Sequence, residues 1–115
     1  MSHNIDLCNV LKTVKETLFE ELSKYPIESY NQDIVINNDC CFRTIIEWEK
    51  CMGELIIEEA EFAPYRYVSF NVLSSITEET ALIFYWYDSE NDSLETIIDK
   101  IKEGLLIAFK YKREK

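Results

Sequence analysis

A chain of 115 residues is of single-domain size, and 47% hydrophobic with 13% aromatic content excludes a chain too polar to fold. Its formal net charge of −10 argues against phosphate-rich partners, nucleic acid and anionic membrane alike. No apolar run approaches the roughly 20 residues that a membrane-spanning helix needs.

Met1-Ser2-His3-Asn4-Ile5-Asp6 carries neither the basic nor the apolar region of a secretory signal, so the expectation is a cytoplasmic protein in a single domain, 1–115. From about Ile5 to Tyr25, apolar residues recur at helical spacing: Leu7, Leu11, Val14, Leu18, Leu22 and Tyr25. This predicts an amphipathic helix, with Glu16, Glu20 and Glu21 on the other faces and Pro26 stopping it.

Five strand candidates follow. The first, Asp33 to Asn37, ends in the turn-forming cluster Asn37-Asn38-Asp39. The second, Cys41 to Glu49, alternates Phe42, Thr44, Ile46 and Trp48 against Arg43, Ile45, Glu47 and Glu49. Trp48 shares its register with Phe42 and Ile46, which predicts core rather than an exposed anchor. Lys50-Cys51-Met52-Gly53 reads as a hairpin connection, with Gly53 able to take positive φ. The third strand runs from Glu54 to about Glu61 and is broken by Pro64; the fourth runs from Arg66 to Leu73. The fifth, Ala81 to Tyr87, sets Leu82, Phe84 and Trp86 against Ile83, Tyr85 and Tyr87.

Asp88 to Asp92 is a polar turn, and Asp92 with Glu95 has the spacing of a capping box for a last helix carrying Leu94, Ile97, Ile98, Ile101, Leu105 and Ala108. Cations in Lys110-Tyr111-Lys112-Arg113-Glu114-Lys115 suit the negative end of that helix. The order helix, strand run, helix predicts an α+β fold. Short connections predict an antiparallel sheet of four to five strands, flanked by an N-terminal and a C-terminal helix packed on one face.

Chemistry is sparse. The only histidine is His3, outside any predicted element, so Ser or Cys nucleophiles lack a fixed base. Gly53 and Gly104 stand alone and make no phosphate cradle. Cys8, Cys40, Cys41 and Cys51 lack zinc-ligand spacing and read as reduced thiols, mostly buried small hydrophobes. The expectation is no enzyme, no cofactor and no metal; a small enzyme using a carboxylate-bound divalent ion is the alternative from another class.

Between Glu28 and Asp99 lie sixteen acidic side chains against three basic ones, Arg43, Lys50 and Arg66. The same stretch holds the strands, so the acid belongs to the sheet. Tyr67, Tyr85 and Tyr87 could stack bases, yet without surrounding cations the phosphates would be repelled. Tyrosine interleaved with carboxylate instead suits a cationic protein. With Phe84 and Trp86 toward the helices, Tyr85 and Tyr87 emerge opposite, beside Asp88 and Glu90; Glu47 and Glu49 are expected on the same outer face. Glu47, Glu49, Tyr67, Tyr85, Tyr87, Asp88 and Glu90 are therefore the expected partner-binding residues.

Ile45-Ile46-Glu47-Trp48-Glu49, followed by Gly53-Glu54-Leu55 and Ile56-Ile57, resembles the strand–turn–strand of TriTu-type immunity proteins of bacterial polymorphic toxin systems. The shared features are an apolar strand ending in Trp-Glu, a Gly-Glu restart and a closing helix after an acidic turn, over about the C-terminal two-thirds. The resemblance implies a protein that neutralises a cognate toxin, expected to be basic, by stoichiometric binding. A phage-encoded acidic inhibitor of a host nuclease or nucleic-acid-binding complex is the other binding reading.

Overall fold

The structure, a computed structural model, describes residues 6–59, 67–75, 81–89 and 91–111. In chain order its elements are α1 (Leu7–Leu22), a short 3-10 turn (Ile27–Ser29), β1 (Tyr30–Asn37), β2 (Phe42–Trp48), β3 (Cys51–Ile57), β4 (Val68–Ser74), β5 (Leu82–Tyr87) and α2 (Leu94–Lys110). The strands pair antiparallel in the order β1-β2-β3-β4-β5, a meander in which every neighbour in sequence is a neighbour in space. Both helices pack on the sheet, giving the α+β architecture expected from the order of the elements. Glu61, Pro64, Arg66, Glu78 and Glu79 lie outside the described residues, as do His3 and 112–115.

Asp6 caps α1, its carboxylate accepting from the Asn9 N–H at 2.9 Å. Val10, Leu11, Val14, Leu18 and Leu22 form the buried stripe. The helix ends at Leu22, short of Tyr25: the Ser23 N–H donates to the Phe19 carbonyl and the Ser23 hydroxyl to the Glu20 carbonyl. Glu21 departs from its expected solvent position. It is buried beside α2, 2.8 Å from Lys24 Nζ and 3.9 Å from Lys102 Nζ.

The helix-facing side of the sheet follows the period-two pattern. Phe42, Thr44, Ile46 and Trp48 are all buried, and Trp48 is core as expected. The buried Thr44 hydroxyl donates to the Asp33 carbonyl and lies 3.2 Å from the Gln32 amide, so its polarity is satisfied. Strand β1 begins at Tyr30, three residues earlier than its apolar residues suggest, because Tyr30 pairs with Trp48.

The β2–β3 connection corrects the expected turn. It is only Glu49-Lys50; Cys51 and Met52 already belong to β3, and Gly53 pairs with Ile46. Gly53 has no positive φ. Its role is space: a Cβ there would lie 3.1 Å from the Trp48 ring and 3.3 Å from the Phe70 ring.

Helix α2 is capped by Ser93, whose hydroxyl accepts from the Thr96 N–H at 3.2 Å, and not by Asp92. Asp92 instead closes the preceding turn, accepting from the Ser89 N–H at 2.8 Å. Ile97, Ile101, Leu105 and Ala108 face the sheet.

Candidate protein-binding face

The pairing register defines the sheet surface turned away from the helices. Three rows cross it from β1 to β5. One runs Ile36, Arg43, Ile56, Ser69, Tyr87; the next Asp33, Ile45, Glu54, Asn71, Tyr85; the last Asn31, Glu47, Met52, Leu73, Leu82. Below the first row Cys41 and Glu58 extend the same face, with Cys41 Sγ 4.0 Å from Glu58, and the Glu58 N–H donates to the Tyr67 carbonyl. Burial and the Glu58 charge both push the Cys41 thiol pKa upward.

The centre of this face is apolar and its charge is unequal across it. Met52, Leu82, Tyr85 and Tyr87 are exposed, and Ile45, Ile56 and Leu73 are half-buried between them. Carboxylates come from β1, β2 and β3, as Asp33, Glu47 and Glu54, and from Glu58 just past the end of β3. Among the described residues Arg43 is the cation of this face, and it is held by Glu54, with Nε 2.6 Å from Oε2. Lys12, Lys15, Lys24, Lys100, Lys102 and Lys110 lie on or beside the helices, where Lys24 and Lys102 approach Glu21 and Lys100 pairs with Glu103. The face is therefore net negative with a hydrophobic floor, a combination that attracts cationic protein at long range and rewards dry contact at short range.

The expected site residues divide. Tyr85 and Tyr87 emerge on the outer face of β5, their rings 5.5 Å apart in an edge-to-face arrangement. Glu47 shares that face but stands on β2, three strand spacings from β5, about 14 Å. Glu49 is exposed in the β2–β3 turn, past the end of the strand. Tyr67 is half-buried just before β4 and packs against the core, not outward as expected of a binding residue. Glu90 lies outside the described residues.

Asp88 is a correction. Its carboxylate is fully buried and accepts from the N–H groups of Tyr67 and Val68, each at 2.8 Å. It fastens the end of β5 to the start of β4 and presents no charge outward. Position after a strand of aromatics suggested exposure; the two backbone donors that demand an acceptor are not visible in sequence.

Sequence reasoning passed over Asp33, Glu54 and Arg43 as site residues. The alternation placing Arg43 outward was readable, but its ion pair with Glu54 requires the β2–β3 register, which the shifted turn obscured. Around the edge of the sheet, Glu47 and Glu49 also line an open groove of about 960 Å³, floored by Tyr30, Trp48, Phe109 and Tyr111.

The thiols differ from expectation. Cys8 and Cys40 are exposed, Cys41 is half-buried, and only Cys51 is buried; all four are free. Among the described residues, no three His, Cys, Asp or Glu side chains converge as a metal site would require. No helix among the described residues is long and apolar enough to cross a membrane.

In comparisons with known proteins, no family model, no curated protein and no solved structure matches this chain.

Proposed function

We propose that this protein works by stoichiometric binding to a positively charged protein through the outer face of its sheet, in the manner of an immunity protein that neutralises a basic toxin. One observation carries the reading. The face combines an exposed aromatic and aliphatic floor with Asp33 and Glu47, while its described cation, Arg43, is already engaged by Glu54. A basic toxin domain that normally meets phosphate would be drawn to such a surface and blocked by it. Electrostatic steering would speed capture, and the tyrosines would slow release.

The experiment is a titration with a basic toxin nuclease domain, by calorimetry and by stopped-flow association. Tyr85→Ala is expected to weaken binding by about 2 kcal/mol, as for a central aromatic anchor, mainly through faster dissociation. Glu47→Gln is expected to slow association and flatten its salt dependence. Unchanged affinity and rate in both variants would remove the outer face from consideration.

A further inference from the structure

Strand β5 ends the sheet, and among the described residues no strand pairs with its far side. Edge strands normally carry charge, a bulge or a short length that discourages further pairing. The other edge, β1, has such devices: Asp33 lies within it, and its register shifts between Ile34 and Ile36. Strand β5 is Leu82-Ile83-Phe84-Tyr85-Trp86-Tyr87, six large residues without a formal charge. Its irregularity is confined to the beginning, leaving Phe84 to Tyr87 in regular pairing with β4. Leu82 is 58% and Tyr85 50% exposed, and Phe84 and Trp86 on the helix side are only half-buried. Both faces of this edge thus keep apolar surface in water.

The backbone is aimed the same way. The Asp88 N–H donates to the Val68 carbonyl, which sets the antiparallel alternation along β5. Two-residue periodicity then turns Trp86 and Phe84 backbone groups toward β4, and those of Tyr85 and Tyr87 away from it.

We propose that β5 is the edge through which two copies of this chain pair, antiparallel about a two-fold axis, into one continuous ten-stranded sheet. Charge selects the occupant. A chain of net charge −10 repels its own copies over most of its surface, and β5 is an uncharged strip; the next carboxylate, Asp88, is fully buried against β4. A basic strand from another protein would find no carboxylate along β5 to recognise. A second copy needs none, because an isologous contact requires only self-complementarity. Opposed residues in an antiparallel pair share a face, so the two-fold axis falls on a residue and tyrosine is set beside tyrosine. The two outer faces become one surface, with Tyr85 and Tyr87 of both copies at its centre and the carboxylates of β1 and β2 toward its two ends.

Sedimentation velocity and light scattering on the full chain, over a range of protein and salt concentrations, test this directly. The expected species has twice the 13.6 kDa chain mass and gains population with added salt, which screens the repulsion between copies. Tyr85→Pro removes an outward N–H, a change an edge strand tolerates, and is expected to raise the dimer dissociation constant at least about tenfold. Tyr85→Lys serves the same purpose should the proline variant fail to fold, while Val35→Lys on β1 is expected to leave the dimer intact. A wild-type protein that stays monomeric throughout overturns the proposal, as does a dimer that survives both Tyr85 variants or disperses with Val35→Lys. Toxin binding by a monomeric wild type would leave the proposed function standing, so the two ideas fail separately.

Discussion

Gly104 of α2 lies directly against Phe70 of β4: a Cβ at 104 would come within 2.5 Å of the Phe70 ring and 2.8 Å of the Phe84 ring. Phe70 is fully buried and packs edge-to-face on Phe84, ring centroids 5.7 Å apart, so the Phe70 ring has no free space to swing into. The glycine is what lets the helix approach the sheet at this point. Gly104→Ala is therefore expected to destabilise the fold by about 1–3 kcal/mol through overpacking, despite the better helix propensity of alanine. Urea denaturation checks this; a variant as stable as the parent would mean that the helix and sheet separate more easily than their packing implies.

Asp88→Ala is expected to cost about 2–4 kcal/mol, because two N–H groups at the β4–β5 junction lose their acceptor. Asp88→Asn retains an acceptor oxygen and should cost less than half as much. At temperatures where both remain folded, neither should alter partner affinity, in contrast to Tyr85→Ala. Thermal melts and calorimetry of the same samples separate the structural role from a contact role.

Burial alone pushes the Cys51 thiol from 9.0 up to about 11. The folded state thus holds its proton where the unfolded state has released it. The associated stability is complete below pH 9 and is lost as pH rises toward 11. In native protein at mildly alkaline pH, alkylation should label Cys8 and Cys40 first, Cys41 more slowly and Cys51 last. Peptide mapping of a timed iodoacetamide reaction reads the order, and early labelling of Cys51 would contradict its burial.

Arg43→Ala is expected to change stability by less than about 1 kcal/mol, since the pair with Glu54 is partly solvated. It should nevertheless speed association with a cationic partner, because Glu54 loses its neutralising neighbour. Stopped-flow rates at low and high salt measure this, and a slower rate would assign Arg43 to direct recognition.

Period-two alternation makes β2 legible, with Trp48 in the core, and the end of β5, with Tyr85 and Tyr87 outside. At the start of β5 it fails, because the register shift turns Leu82, expected beside Phe84 and Trp86, to the outer face opposite Leu73 and packs Ile83 against the core. Failures came where a residue type has two physical uses. Gly53 resembles a turn glycine but serves as space beneath Trp48 and Phe70, and reading it as a turn delayed the start of β3. Asp92 and Ser93 are both good caps, and only three-dimensional geometry selects Ser93. Asp88 looked like part of an acidic fringe because its partners, Tyr67 and Val68, are 21 and 20 residues away. The concentration of acid in the strand region was readable. That it resolves into three outward carboxylates on β1 to β3, residues of the connections and one buried structural aspartate was not.

The most direct test of the outer face is the association rate constant with a basic toxin domain for two charge-removal variants. Asp33→Asn with Glu47→Gln removes charge from the sheet face, whereas Glu16→Gln with Glu20→Gln removes the same charge from α1. The sheet variant is expected to associate several-fold more slowly with a shallower salt dependence, and the helix variant at close to the parent rate. Equal effects from both would mean that net charge alone guides the encounter, and a loss confined to the helix variant would place the binding surface on the opposite layer.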